Sequence, residues 1–322
     1  MDLQSNSFPT LNPRTVAILG YGNQGRAHAL NLRDSGINLR IGARPGRGFN
    51  SARDDGFNPV GWEEAAASSD VWMFLFPDHA IAAVYEALSS LAMTKKPYLG
   101  FAHGFAVHFG VIQPIPGCEF FLVGPKGAGS VLRERYLTKV GLPVVYAVGN
   151  SENEPLRQLA VEYARAIGGS YLLQTNFAEE TECDLFGEQT VLCGGMMDLM
   201  EEAFEVLVDN GHSPKMAFFE TCFEARTILD LFLDAGPAQM RSRISPTAFY
   251  GGLSRGQRLV TTETRREMKE IFSEIRSGAF AEEWLHQAHR GAPALENAKK
   301  KYAESKIETV YQELKKEMGG KI

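Results

Sequence analysis

The sequence predicts an α/β chain in two parts, a doubly wound parallel sheet followed by an all-helical region. From Thr15 onward, short apolar runs alternate with amphipathic stretches. A glycine-rich turn follows the first run, and after about Thr175 the strand-like runs stop and apolar residues recur at helical spacing.

The runs come in order. TVAIL is followed by a helix-like HALNLRDS, then INLRIG, a helix around WEEAAAS, and VWMFLF. YLGFAH, EFFLVG and VVYAVG continue the pattern before a helical segment over 153–167 and the last run, SYLLQT. Repeated β-then-α alternation implies a parallel sheet with both faces covered. Beyond it, LFGEQTVLCGGMMDLMEEAFEVLVDNG reads as helix, with Gly211 and Gly236 as helix stops. The expected domains are 1–178 and 179–322, and the last forty residues, rich in Lys and Glu, read as solvated helix.

At 322 residues the chain has room for two cores. A net charge of −6 leaves no cationic surplus for a phosphate backbone, which argues against a nucleic-acid partner. No apolar stretch is long enough to span a bilayer, and MDLQSNSFPTLNPR lacks the layout of a leader peptide. Cys118, Cys183, Cys193 and Cys222 show neither metal-site nor disulfide-scaffold spacing, so a reducing, cytoplasmic setting is expected.

Gly20, Gly22 and Gly25 of GYGNQG stand in G-x-G-x-x-G spacing between a strand and a helix, the Rossmann context for a dinucleotide. The turn places Tyr21, Asn23 and Gln24 beside the pyrophosphate, above free N–H groups at the helix start. Where NAD enzymes put an acid after the second strand, this chain has ARPGRGFNSAR. Arg44 and Arg47 can pair with a 2′-phosphate, and Asn50 and Ser51 can donate to it, so NADPH is the expected cofactor. A merely solvated loop would have the same composition.

Asp184 and Glu188 stand four apart in a helical segment, and Glu220 and Glu224 repeat the spacing in a second. Like charges at that spacing cost a helix roughly 0.2–0.5 kcal/mol, so local stability does not explain them. Two such pairs facing one space would suit a hard cation such as Mg²⁺. Acids four apart also occur on any wet helix face.

GYGNQGRAHALNLRDSG, FAHGF, GPKGAG, EETECDLFGEQTVLCGG, the acids of FFETCFEA, and RISPTAFYG together resemble ketol-acid reductoisomerase, in the same order and at similar separations. The likeness runs from about residue 15 to 285, at the length of the short form of the family. It implies a two-step reaction on an acetohydroxy acid, in which an alkyl group migrates with the help of Mg²⁺ and NADPH then reduces the new ketone. Asp184 and Glu188 would bind and bridge two magnesium ions, with Glu220 and Glu224 as the second pair. Ser245 would hydrogen-bond the substrate carboxylate. His103 and Lys126, each just after an apolar strand, would lie between cofactor and metal. The family's interlocked helical domains imply a homodimer with shared active sites, or a larger assembly.

His28, His79, His108 and His212 have no such support; His28 reads as helix packing and the others as structural or exposed. Cys193 reads as a small apolar residue packed near the site. The chain departs from the family pattern at Ala106, Phe223, Arg226, Pro246 and Phe249, where an amide or other donor, a His, a Lys, an Asn and a Glu are usual. These changes leave every expected metal ligand in place but alter the pocket. They keep open a reductase of a different ketone or imine that lacks the migration step. A non-enzymatic NADP(H) sensor is the third reading, and the intact acid pairs count against it.

Overall fold

The computed structural model describes residues 7–149 and 153–320; the first six residues of the stretch read for a leader lie outside them. The chain divides into two compact units, Met1–Cys183 and Asp184–Ile322.

The first unit is a seven-stranded sheet, ordered β2-β1-β3-β4-β5-β6-β7. Its strands are β1 (Thr15–Leu19), β2 (Asn38–Gly42), β3 (Val71–Phe74), β4 (Tyr98–Phe101), β5 (Glu119–Pro125), β6 (Leu142–Val148) and β7 (Gly169–Gln174). Its helices are α1 (Asn23–Asp34), α2 (Arg47–Asp54), α3 (Trp62–Ala67), α4 (Asp78–Lys95), α5 (Phe105–His108), α6 (Gly129–Leu137) and α7 (Glu154–Ala166). Alternate residues of one strand enter different cores, as the two-residue period of a strand requires. Val16 and Ile18 join Val71, Met73, Phe121 and residues of α1 and α7 on one face. Ala17 and Leu19 join Trp72, Phe74 and residues of α3 and α4 on the other.

All seven expected strands are present, but the sheet is not wholly parallel: β5 and β6 pair antiparallel, Val123 opposite Tyr146. Apolar alternation carries no direction, so the pattern that reveals a strand does not reveal its polarity. The order reverses at β1, with β2 on one side and β3 on the other. That reversal opens a crevice at the carboxyl ends of β1 and β3, the place where such sheets bind ligands.

α8 (Phe177–Gly187) begins in the first unit, and the second unit is helical throughout its described residues. A π-turn at Glu188–Leu192 leads into α9 (Gly195–Asp209) and α10 (Pro214–Phe218). A second π-turn at Phe219–Phe223 leads into α11 (Glu224–Arg243), α12 (Pro246–Leu259), α13 (Thr262–Ser277), α14 (Ala279–His289), α15 (Pro293–Ala303) and α16 (Lys306–Glu317). Gly211, at φ +87°, lies just beyond the end of α9, and Gly236, at φ +78°, breaks α11. The last forty residues are not wholly solvated: Val310 and Leu314 of α16 are buried with Phe204, Ala217 and Phe218. The Lys and Glu of this region hide an apolar face made of Ile307, Val310, Tyr311 and Leu314. Among the described residues no helix is long and apolar enough to cross a membrane.

Candidate active site

The glycine turn separates what the fold needs from what a ligand needs. Gly20 sits at φ +100°, and a Cβ there would stand 2.6 Å from the Leu75 carbonyl oxygen. At Gly25 a Cβ would stand 2.1 Å from the Gly20 carbonyl oxygen, so strand and helix close on each other only without one. Gly22 differs: a Cβ there meets nothing within 4 Å, in the space where a pyrophosphate would approach the start of α1. Asn23 opens that helix against α6, since a Cβ on Gly129 of GPKGAG would fall 2.1 Å from the Asn23 carbonyl oxygen.

Side chains of the turn serve the protein. Tyr21 is buried and donates its hydroxyl to Asp55 at 2.8 Å, so only its backbone faces the turn. Burial and the Asp55 carboxylate push its phenol well up. Asp55 also takes Arg26 in two bonds, at 2.6 and 2.7 Å, and that guanidinium holds its carboxyl below the usual range. Gln24 donates to the Gly127 carbonyl at 2.9 Å. Past β2, Arg44 is exposed and lies over the Trp62 ring at 5.1 Å, and Arg47 is exposed in the first turn of α2. Asn50 and Ser51 follow on the same helix.

At the carboxyl ends of β4 and β5, His103 and Lys126 meet on a residue that the sequence reading passed over, Glu180 of α8. Glu180 is 4% exposed and accepts from the Gly104 N–H at 2.9 Å. His103 Nδ1 lies 3.0 Å from its Oε2, and Lys126 Nζ donates to its Oε1 at 3.2 Å. Two glycines admit it: a Cβ on Gly104 would stand 2.4 Å from Thr181 Oγ1, and one on Gly124 would stand 2.9 Å from the Ala102 carbonyl oxygen and 3.3 Å from Glu180 Oε1. Burial alone would raise the Glu180 carboxyl, but its bond to His103, the charges of His103 and Lys126, and the Gly104 N–H together hold it below the usual range. An ionised carboxylate only accepts, so Nδ1 of His103 carries the proton and the ring is oriented. Asp78, at the start of α4, is raised by burial, with His103 pulling the other way.

Glu180 is legible in retrospect. It continues the spacing of Asp184 and Glu188 one turn earlier, in EETECDLFGE.

Asp184 lies on α8 and Glu188 opens the first π-turn. Glu220 lies within the second π-turn and Glu224 directly after it. Among the described residues, no cluster of three or more metal-capable side chains in one chain includes Glu188, Glu220 or Glu224. Ser245 caps α12, accepting from the Ala248 N–H at 3.1 Å, and Pro246 takes the first helical position, where its missing N–H costs nothing. Cys193, expected to pack, is exposed. His28 is buried as read, His79 and His212 are exposed, and His108 Nε2 lies 3.7 Å from Glu182.

Of the departures, Ala106 is fully buried in the sheet core. Phe223 packs edge-on against Phe219 at 5.6 Å and is 36% exposed, and Phe249 on α12 is 41% exposed.

Residues 10–171 match the family model for the acetohydroxy acid isomeroreductase NADPH-binding domain, and residues 177–319 match that for the ketol-acid reductoisomerase C-terminal domain. The chain is similar to the structure of an NADH-preferring ketol-acid reductoisomerase from an uncultured archean, at 36% identity and TM-score 0.90 over 96% of each chain. It shares a fold with a pyrroline-5-carboxylate reductase from Coxiella burnetii, at 15% identity and TM-score 0.60 over 84% of this chain and 98% of that one. A semialdehyde dehydrogenase NAD-binding protein from Cupriavidus necator is alike in fold too, at 17% identity and TM-score 0.64 over 82% and 99%. With both family domains matched in order along a Rossmann unit and a helical one, the chain is an oxidoreductase that belongs to the ketol-acid reductoisomerase family.

Proposed function

We propose that the protein converts an acetohydroxy acid to a 2,3-dihydroxy acid by alkyl migration and reduction of the resulting ketone, using NADPH and Mg²⁺. The observation that carries this reading is the buried Glu180, which gathers His103 and Lys126 at the strand ends and lies on the helix that continues to Asp184.

The donor set fits a hard cation. Asp184, Glu188, Glu220 and Glu224 offer only carboxylate oxygens, the chemistry Mg²⁺ takes. The two acids of the second pair sit a turn apart, and among the described residues no Lys or Arg pairs with either. When bound, the ions would polarise the substrate's carbonyl and hydroxyl oxygens. His103, oriented by Glu180, and Lys126 would handle protons and developing negative charge at those oxygens. The Ser245 hydroxyl can donate to the substrate carboxylate while its oxygen stays bonded to the Ala248 N–H, because a hydroxyl does both. Arg44, Arg47, Asn50 and Ser51 would hold the 2′-phosphate. The second acid pair and Ser245 would come from the partner in a homodimer, in a reducing compartment where the four cysteines stay free.

Phe223 and Phe249 favour a second reading, a reductase whose pocket has lost the migration step. Following NADPH oxidation with 2-acetolactate and, separately, with the rearranged 3-hydroxy-2-keto acid divides the two. Turnover of both supports the full reaction, turnover of the rearranged acid alone supports the second reading, and turnover of neither removes both.

A further inference from the structure

The acids of the helical unit are set at π-turns, and the two turns are built alike. In the first, the Cys193 N–H donates to the Glu188 carbonyl at 2.8 Å, five residues back rather than four. In the second, the Glu224 N–H donates to the Phe219 carbonyl, again five back. Each widened ring therefore closes on the backbone of an acid, Glu188 at its start or Glu224 at its end.

A threonine in the third position of each turn ties the turn to the carbonyl four residues back, just ahead of the widened ring. Thr190 Oγ1 donates to the Phe186 carbonyl at 2.7 Å, and Thr221 Oγ1 donates to the Ala217 carbonyl at 2.9 Å. Thr190 is buried although polar. The first turn also draws residues against the carbonyls five back. A Cβ on Gly194 would stand 2.1 Å from the Gln189 carbonyl oxygen, and one on Gly195 would stand 2.3 Å from that of Thr190. Neither glycine has a positive φ, so close approach, and not left-handed backbone, is what demands them. The paired glycines of LCGG thus have a local cause.

We propose that Thr190, Thr221 and the Gly194–Gly195 pair are positioning residues that keep the two acid-bearing turns π-helical, and that these wide turns aim Glu188 and Glu224 at the cations. In a plain α-helix, residues four apart lie ~40° apart around the axis at 3.6 residues per turn. A widened turn between Glu220 and Glu224 rotates the second acid back from that register. Return to α-helix would shift each acid's own peptide group, and its carboxylate with it. The inference rests on the cation reading of these acids, and its test keeps the two apart.

The probe is Mn²⁺ binding to the full-length protein, read by the loss of the free-ion resonance signal, alongside NADPH titration and thermal unfolding. Thr190→Val and Thr221→Val remove a hydroxyl and keep the shape. Each is expected to weaken Mn²⁺ about tenfold or more, the scale seen when groups that orient metal ligands are lost, with NADPH affinity within about twofold of the parent. Thr190→Ser and Thr221→Ser should restore the ion, which a general packing defect would not allow. Gly195→Ala should weaken Mn²⁺ as well; should it fail to fold, the threonine variants carry the test. Equal Mn²⁺ binding by the parent and Asp184→Asn overturns the cation reading and this inference with it. Loss of the ion in Asp184→Asn, with parent-like binding in both valine variants, overturns the inference alone.

Discussion

Two glycines three residues apart do different work, and their alanine variants should fail differently. Gly25 has the Gly20 carbonyl oxygen 2.1 Å from where its Cβ would be, so Gly25→Ala must push strand and helix apart. It should cost stability on the order of 1–3 kcal/mol, seen in thermal unfolding. Gly22 has open space, so Gly22→Ala should unfold like the parent yet bind NADPH about tenfold more weakly. Tight nucleotide binding by Gly22→Ala would remove the pyrophosphate from this turn. A second residue reports on pH. His28 is buried with Nδ1 3.0 Å from the Tyr163 hydroxyl, and burial pushes its pKa down to about 3. Between that value and about 6.5, the ordinary histidine value, the unfolded chain takes a proton that the folded chain refuses. Stability contributed by neutral His28 is present above about pH 6.5 and is lost as pH falls, on the order of 2 kcal/mol between pH 7 and 5. Urea unfolding across that range should show a steeper pH dependence for the parent than for His28→Phe; equal slopes would mean the buried ring charges in the folded state.

Elements were legible where a period marks them and obscure where geometry departs from the period. VWMF could be read as a central strand because all four residues are apolar, and all four are buried. The antiparallel entry of β6 left no trace in LPVVYAV, because alternation is the same in either direction. The π-turns were hidden for a related reason: acids four apart were judged against a 3.6-residue period, while the wider turn announces itself only in hydrogen bonds five residues long. Glu180 was missed because its partners, His103 and Lys126, come from strands far away in sequence. In the β2–α2 connection no acid follows β2 and two exposed arginines do, which is the basis of the proposed NADPH preference. Replacing Arg44 and Arg47 together with Ala should weaken NADPH by about tenfold or more and leave NADH within about twofold, as charge-assisted phosphate contacts are lost. Dissociation constants from fluorescence titration decide it. Equal parent affinities for the two nucleotides would refute the reading, and the NADH preference of the archaeal relative makes that comparison worth running first.

At the scale of the whole molecule, three helices lack an interior of their own, α11, α12 and α15. Neither α11 nor α12 has a buried residue, although they carry Leu233 at 77% exposure, Tyr250 at 67% and Leu253 at 58%. Large apolar side chains left this exposed are surface that a partner would cover. Sequence alone could not assign it, because apolar residues at helical spacing look the same whether they face their own chain or another. Glu224 opens α11 and Ser245 caps α12, so whatever covers these helices also encloses two residues of the proposed site. In the homodimer proposed above, a second copy of the chain would be that occupant. Sedimentation of the parent should therefore give a dimer or larger, and Leu233→Asp with Leu253→Asp should give monomers. The Rossmann unit has its own cores on both faces of the sheet, so those monomers should bind NADPH within about twofold of the parent. They should lose turnover by about a hundredfold or more, since removing positioned proton-transfer and charge-stabilising groups has effects of that size. A parent that sediments as a monomer at its working concentration and still turns over would show that one chain completes the site unaided.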